Sequence, residues 1–187
     1  MKKLKLHYNS PVVLTFFLLS LGALGLDLLT GGWSNRALFS VYRWPLSHPL
    51  GYLRLFLHVL GHGDWSHFIG NMLLLLVVGP PMEEKYGSGP LLQGIALTAL
   101  VSGVLQCLFF PGTALLGASG IVFMLILLSS LSGMERGTVP LTLILVAALY
   151  VGRELNAILF VRDNVANFMH IVGGLCGTGF GYAMHRK

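Results

Sequence analysis

Polar residues at four positions inside apolar stretches have side chains that could carry out acyl transfer. Ser119 opens a long apolar run within Gly117-Ala118-Ser119-Gly120, and His170 lies near the start of the last apolar run. His67 and Asn71 are four residues apart, so in a helix they share one face. A serine hydroxyl becomes a nucleophile when a histidine accepts its proton. The sequence therefore allows a Ser–His dyad formed by Ser119 and His170.

The surroundings of Ser119 suit a nucleophile. Gly117 and Gly120 leave backbone freedom and room around its hydroxyl. The start of a helix also offers unpaired backbone N–H groups, which can hold a developing oxyanion. No Asp or Glu is expected at the same depth, so the residues favour a dyad over a triad.

Each of these features also has a purely structural interpretation. Gly-Ala-Ser-Gly at a helix start is, by itself, more often a cap and a close-packing element than a catalytic motif. His170 alone is equally compatible with a histidine that hydrogen-bonds between helices. Gly173, Gly177 and Gly181 recur every four residues, which indicates a helix face packed closely on a neighbour. The combination of polar residues, rather than any one of them, favours a site.

A metal centre is not expected. His58, His62 and His67 span a loop-to-helix boundary and have no Cys, Asp or Glu partner in helical register. Cys107 and Cys176 both lie inside apolar runs, where free cysteine behaves as a small hydrophobic residue. We therefore expect neither a metal, nor another cofactor, nor a disulfide framework.

The composition indicates an integral membrane protein. Of 187 residues, 55% are hydrophobic and only 10% are charged, whereas a soluble domain carries about 25% charged residues. The length fits one domain, residues 1–187, without a separate soluble module. The net charge is +5, but the basic residues sit at the chain ends and between apolar runs. They are topology signals in a lipid bilayer, and no nucleic-acid surface is expected.

The fold class predicted is an all-α membrane protein with a bundle of six transmembrane helices. The predicted spans are about 11–29, 66–78, 91–110, 118–131, 139–152 and 165–184. The first run follows a basic start as a signal peptide would, but it is long, contains Asp27 and lacks an Ala-x-Ala site, so we expect it to be retained. Several runs fall below the roughly 20 residues that cross a bilayer, which suggests helices that are broken or partly buried in the bundle.

The segment between the first two spans is predicted to be a partly membrane-immersed loop with short helices. Its aromatic and arginine content is typical of the membrane interface. Pro45 and Gly51 argue against one continuous helix.

The charge distribution gives a topology that places the four polar residues at one depth. Lys2, Lys3 and Lys5 precede the first run, which predicts a cytoplasmic N-terminus, and six spans return the C-terminus to the same side. Several arginines fall outside, so the positive-inside rule is only partly obeyed. Helices two, four and six then enter from the outer face, and all four candidate residues lie in the outer third of the membrane. This shared depth is the main argument for a single site.

With these motifs in place, the sequence resembles the rhomboid family of intramembrane serine proteases, over about Leu53 to Gly181. The resemblance is carried by four spaced motifs, namely His58-x3-His62-x4-His67-x3-Asn71, Gly79-x3-Glu83-x3-Gly87, Gly117-x-Ser119-Gly120 and His170-x2-Gly173-x3-Gly177. The size and the six predicted spans look like the minimal bacterial form, which implies a rhomboid-like bundle in a bacterial inner membrane.

The resemblance also implies roles for the candidate residues. Ser119 would be the nucleophile, and His170 the general base and then the general acid. His67 and Asn71, with the Ser119 N–H, would stabilise the oxyanion. The implied substrate is a transmembrane segment of another protein, cleaved near its extracytoplasmic end.

Three positions depart from the family's usual residues. Leu53 stands where Trp is common before Arg54, which concerns the anchoring of the first loop. Phe123 stands where Tyr is common, so the ring is kept and the hydroxyl is lost. Met169 stands where Ala is common, just before His170. None of the three removes a catalytic group.

Two other functions stay open at this point. One is a catalytically silent rhomboid-like protein that binds membrane clients, although both dyad residues are present and Ala118 is small. The other is a small transporter or channel that uses the intramembrane polar residues as a path. This is disfavoured because the polar residues cluster at one predicted depth and leave the inner half of the membrane apolar.

Overall fold

The computed structural model describes residues 7–132, 138–160 and 164–185. Over these ranges the named elements are all helices, and the predicted all-α class is confirmed. The α-helices are α1 (Pro11–Leu29), α2 (Leu50–Leu57), α3 (Trp65–Tyr86), α4 (Ser88–Phe109), α5 (Ser119–Ser130), α6 (Leu141–Phe160) and α7 (Asn164–His185). The loop from α1 to α3 also holds a π-helical turn at Asn35–Phe39 and a 3-10 turn at His58–Leu60.

Three helices in the described part of the chain are long and apolar enough to cross a membrane. They are α1, α3 and α4, whereas α5 and the segment Leu50–Leu60 are apolar but shorter. Leucine side chains stand exposed on the outward faces of these helices, among them Leu18, Leu73 and Leu108, as expected where lipid is the solvent. The chain is therefore an integral membrane protein, and the number of six spans stays a prediction.

Two helices extend beyond their predicted ends. The second span was expected to stop at Gly79-Pro80-Pro81, but α3 continues to Tyr86 and ends at Gly87, whose φ is +85°. Pro80 and Pro81 lack the backbone N–H groups that would donate within the helix. However, Gly79 lies against Val13 of α1 and Met82 is buried, so packing on α1 outweighs the cost of the two prolines.

The fifth span was expected to end near Gly152, but α6 continues to Phe160. The arginine and glutamate that follow Gly152 are good helix formers, which is compatible with this longer helix.

Helix α5 lies at the centre of the packing. Ile121, Met124, Leu125 and Leu128 are fully buried, and α5 contacts α3, α4, α6 and α7. A helix that is hydrophobic all round belongs inside a bundle. The short length of α5 is thus compatible with a central position, where neighbouring helices rather than lipid cover its sides.

The glycine repeat of α7 packs directly on α5, as the sequence predicts. A Cβ on Gly173 would overlap the carbonyl oxygen of Gly120, and a Cβ on Gly177 would overlap that of Met124. A Cβ on Gly181 would lie 2.8 Å from Leu131 Cδ1. The two backbones therefore touch along the glycine face, which fixes α7 relative to Ser119 at the start of α5.

A buried carboxylate joins the start of α1 to the end of α3. Glu83 is 4% exposed, and its two oxygens accept hydrogen bonds from the Val12 N–H at 2.9 Å and the Val13 N–H at 3.0 Å. Ser88 Oγ donates to the same carboxylate at 2.7 Å. An anion at a helix N-terminus satisfies otherwise unpaired donors and complements the helix dipole.

Replacing Glu83 with alanine is expected to lower the free energy of unfolding by roughly 3 kcal/mol, because two buried N–H groups lose their acceptor. The measurement is the thermal midpoint in detergent. Glu84→Ala is the matched control, since the neighbouring side chain is exposed. Equal midpoints for the two variants would contradict the assigned role of Glu83.

Candidate active site

Ser119 is the first residue of α5. The loop before it is held by backbone hydrogen bonds to two other segments of the chain. Val41 and Leu115 form an isolated antiparallel bridge with two hydrogen bonds of 2.9 Å. The Gly117 N–H donates to the His58 carbonyl at 2.9 Å. Gly117 has a φ of +126°, a value that other residues rarely adopt. These contacts set the direction in which the chain enters α5.

His67 and Asn71 reach this loop from the first turns of α3. The position of a Cβ on Gly117 lies 2.8 Å from His67 Nε2 and 3.9 Å from Asn71 Nδ2. Asn71 is 8% exposed, and within the described residues its buried Nδ2 has no hydrogen-bond partner. Buried donors are nearly always paired, so an unpaired one beside Gly117 is an unusual feature that calls for an acceptor.

His170 lies against the face of α5 that carries Ser119. Its ring stacks on Phe123 with a centroid distance of 4.3 Å and an interplanar angle of 5°. Phe123 is four residues after Ser119 and so shares its helix face. The structure thus gathers the four sequence-predicted residues around the N-terminal end of α5.

A carboxylate that the sequence analysis did not expect lies beside this cluster. Asp64 is the N-cap of α3, and its Oδ1 accepts a hydrogen bond from the His67 N–H at 2.8 Å. The prediction that no Asp or Glu is available to complete a triad is not contradicted by Asp64. Its contact is with the backbone of His67, so its role is to begin α3. The spacing Asp64-x-x-His67 before an apolar run is the signal that could have found it.

The three histidines considered as metal ligands have other partners. His58 Nε2 lies 3.1 Å from the Ala99 carbonyl, and His62 Nδ1 lies 3.1 Å from the Leu60 carbonyl. The ring of His62 meets the ring of His67 edge to face at 5.0 Å. Within the described ranges no group of three His, Cys, Asp or Glu is arranged to hold a metal ion.

His62 is neutral at neutral pH. Burial lowers its pKa to about 4, with a further lowering from His67 and an opposing effect of the Leu60 carbonyl and Asp64. The folded protein therefore binds this proton only at acid pH, whereas an unfolded histidine binds it near pH 6.5. Because the unfolded state then holds more protons, this site costs stability as the pH falls from about 6.5 toward 4.

The three departures from the usual family residues have structural accounts. Leu53 is exposed, and the first loop is held instead by Arg54, whose Nε donates to the Ala37 carbonyl at 2.9 Å. The Arg54 guanidinium also lies 4.5 Å from the centre of the Tyr42 ring. The Phe123 ring stacks on the His170 ring. Met169, the residue before His170, is buried. A phenyl ring is thus sufficient for the stacked contact.

Comparison with known proteins shows which family this chain resembles. Residues 49–187 match the family model described as the Rhomboid domain. The chain is 28% identical to mouse Rhomboid-related protein 2, over 93% of this chain and 65% of that protein. It is 29% identical to Rhomboid protease GlpG of Enterobacter sp. (strain 638), over 75% of this chain and 52% of that protein. It is 33% identical to RHOMBOID-like protein 4 of Arabidopsis thaliana, over 66% of this chain and 32% of that protein. The chain thus spans between about a third and two thirds of the length of these curated relatives.

Proposed function

Because this chain belongs to the rhomboid family, we propose that it is an intramembrane serine endopeptidase that uses a Ser119–His170 dyad. The observation that carries the proposal is the His170 ring stacked at 4.3 Å on Phe123, one helical turn after Ser119. The stack holds the imidazole against the face of α5 that carries Phe123 and, one turn earlier, Ser119. In the proposed mechanism the histidine accepts the serine proton from this side.

In the first step of the proposed reaction, Ser119 Oγ attacks the carbonyl carbon of the scissile peptide bond. His170 accepts the hydroxyl proton, and a tetrahedral intermediate with a negative oxygen forms. His170 then donates that proton to the leaving amine, and the peptide bond breaks. In the second step a water molecule, deprotonated by His170, hydrolyses the acyl-enzyme and releases Ser119.

The oxyanion would be held by donors that converge beside Gly117. The Ser119 N–H belongs to the first turn of α5, where backbone donors have no acceptor within the helix and the helix dipole favours negative charge. Asn71 supplies its buried, unpaired Nδ2. The Gly63 N–H donates to His67 Nδ1 at 3.5 Å, so the neutral imidazole carries its proton on Nε2, the atom that faces Gly117. Preorganised donors of this kind are a large source of catalysis.

The proposed substrates are transmembrane segments of other proteins, cleaved near their extracytoplasmic ends. The proposed location is a bacterial inner membrane, with six spans and both termini in the cytoplasm. In that topology the N-terminal ends of α3, α5 and α7 face outward, which puts Ser119 near the outer surface, where water and an unwinding helix end can meet. A transmembrane substrate would enter laterally from the bilayer.

The test is cleavage of a panel of single-span test substrates by the purified protein in liposomes. A fluorophosphonate probe is added in parallel, and its attachment site is located by mass spectrometry. We expect cleavage near the extracytoplasmic end of the span and a single adduct on Ser119. Binding of the substrates without cleavage or labelling would favour the alternative of a silent client-binding protein. An adduct on another residue would contradict the dyad.

A further inference from the structure

A buried carboxylate at the end of α1 is bonded to the loop that follows it. Asp27 lies in the last turn of α1 and is 8% exposed. Its Oδ1 accepts hydrogen bonds from Ser34 Oγ at 3.2 Å and from the Asn35 N–H at 2.8 Å, and its Oδ2 accepts one from Asn35 Nδ2 at 2.9 Å. An anion near a helix C-terminus is disfavoured by the helix dipole. Asp27 is therefore stabilised by these donors and not by its own helix.

Asn35 extends this connection to the loop that precedes α3. It begins the π-helical turn, and its Nδ2 also donates to the His62 carbonyl at 2.9 Å. Gly61 is packed against the same turn, because a Cβ there would lie 2.9 Å from Phe39 Cβ and 3.2 Å from Asn35 Oδ1. Asn35 Nδ2 thus uses one hydrogen for Asp27 and the other for His62.

The anchored loop contacts the imidazole of His67 directly. Gly63, the residue after His62, donates its N–H to His67 Nδ1 at 3.5 Å. Asp64 Oδ1 accepts from the His67 N–H at 2.8 Å. The tautomer and direction of the His67 ring therefore depend on where residues 62–64 lie, and that position is held by Asn35.

We propose that Asp27 and Asn35 are positioning residues for the oxyanion-binding imidazole of His67. The inference rests on the proposed proteolytic function. Without the Asn35 contact the loop is free to move, the Gly63 N–H leaves Nδ1, and Nε2 is no longer held toward Gly117. Since His67 acts on the transition state in this scheme, the loss falls on kcat and leaves KM unchanged.

The first experiment compares Asn35→Ala with Ser34→Ala in the full-length protein in liposomes. Both changes remove one side-chain donor from Asp27, but only Asn35→Ala also removes the donor to the His62 carbonyl. We expect Asn35→Ala to lower kcat by about 10- to 100-fold at unchanged KM. Its fluorophosphonate labelling slows in parallel, and Ser34→Ala keeps the wild-type kcat. A lower thermal midpoint with unchanged kcat would reduce the network to a structural role.

A second pair of variants tests the contact between the Gly63 N–H and His67 Nδ1. This test does not require Asn35→Ala to fold. Gly63→Pro removes the N–H that faces His67, whereas Gly63→Ala keeps it, and a Cβ at Gly63 meets no atom within 4 Å. Relative to Gly63→Ala, we expect Gly63→Pro to show the same fall in kcat. Wild-type kcat in both Asn35→Ala and Gly63→Pro overturns the positioning role while leaving the protease function intact. A wild-type protein that neither cleaves nor labels overturns both.

Discussion

Ser119→Ala is expected to lower the kcat for cleavage of a transmembrane substrate by at least about 10⁴-fold, because the variant lacks the proposed nucleophile. The variant should fold, since the change removes a single hydroxyl at the first position of α5 and leaves the apolar face of that helix intact. The measurement is single-turnover cleavage in liposomes together with the thermal midpoint. Ser130→Ala is the matched control, as Ser130 lies at the other end of the same helix and its hydroxyl donates to the Ile126 carbonyl within that helix.

His170→Ala is expected to give a loss of similar size, and the double variant should lose little more than either single one. A nucleophile and its base act as one unit, so once one of them is lost, replacing the other lowers kcat little further. Additive losses would mean that Ser119 and His170 act independently. Cleavage by Ser119→Ala at the wild-type rate would sink the dyad assignment altogether.

The sequence predicts much of the site because the chemistry constrains residue types in an apolar background. Ser119 and His170 stand out as polar residues where polar residues are costly, and the predicted count of six spans would put them at one depth. The stacked Phe123 ring follows from its spacing of four from Ser119. The proximity of His67 to Gly117 does not follow from any local pattern, since it depends on how α3 crosses the loop before α5.

Features that depend on packing between distant segments do not follow from local sequence patterns. Helix α3 continues through Pro80 and Pro81 because its last turns are held by α1, which a local rule for proline cannot include. In the sequence Asp27 is only a charge that interrupts an apolar run, whereas in the structure it accepts three hydrogen bonds. A charged residue in a predicted span is thus better interpreted as a hydrogen-bonded group whose partners lie outside that span.

The close approach of α7 to α5 is the geometric condition for the proposed dyad, and Gly173→Ala tests whether activity requires it. Gly173 is one turn after His170 and faces Gly120, the neighbour of Ser119, where an added Cβ would lie 2.8 Å from the Gly120 carbonyl carbon. Backbone atoms cannot turn aside as a flexible side chain can, so the two helices must separate. Because misplacing a base by about 1 Å costs on the order of 100-fold in rate, we expect a kcat loss of that size with a lowered thermal midpoint.

Gly179→Ala is the control that separates this effect from a general intolerance of α7 to alanine. Gly179 lies in the same helix but is exposed, and a Cβ there meets no atom within 4 Å. Alanine is the better helix former by about 1 kcal/mol, so this variant should be as stable as the wild type or more so. Full activity in Gly173→Ala would show that Ser119 and His170 can work at a larger helix separation. A loss confined to Gly173→Ala would mean that the glycine face of α7 is as necessary to the reaction as the base it carries.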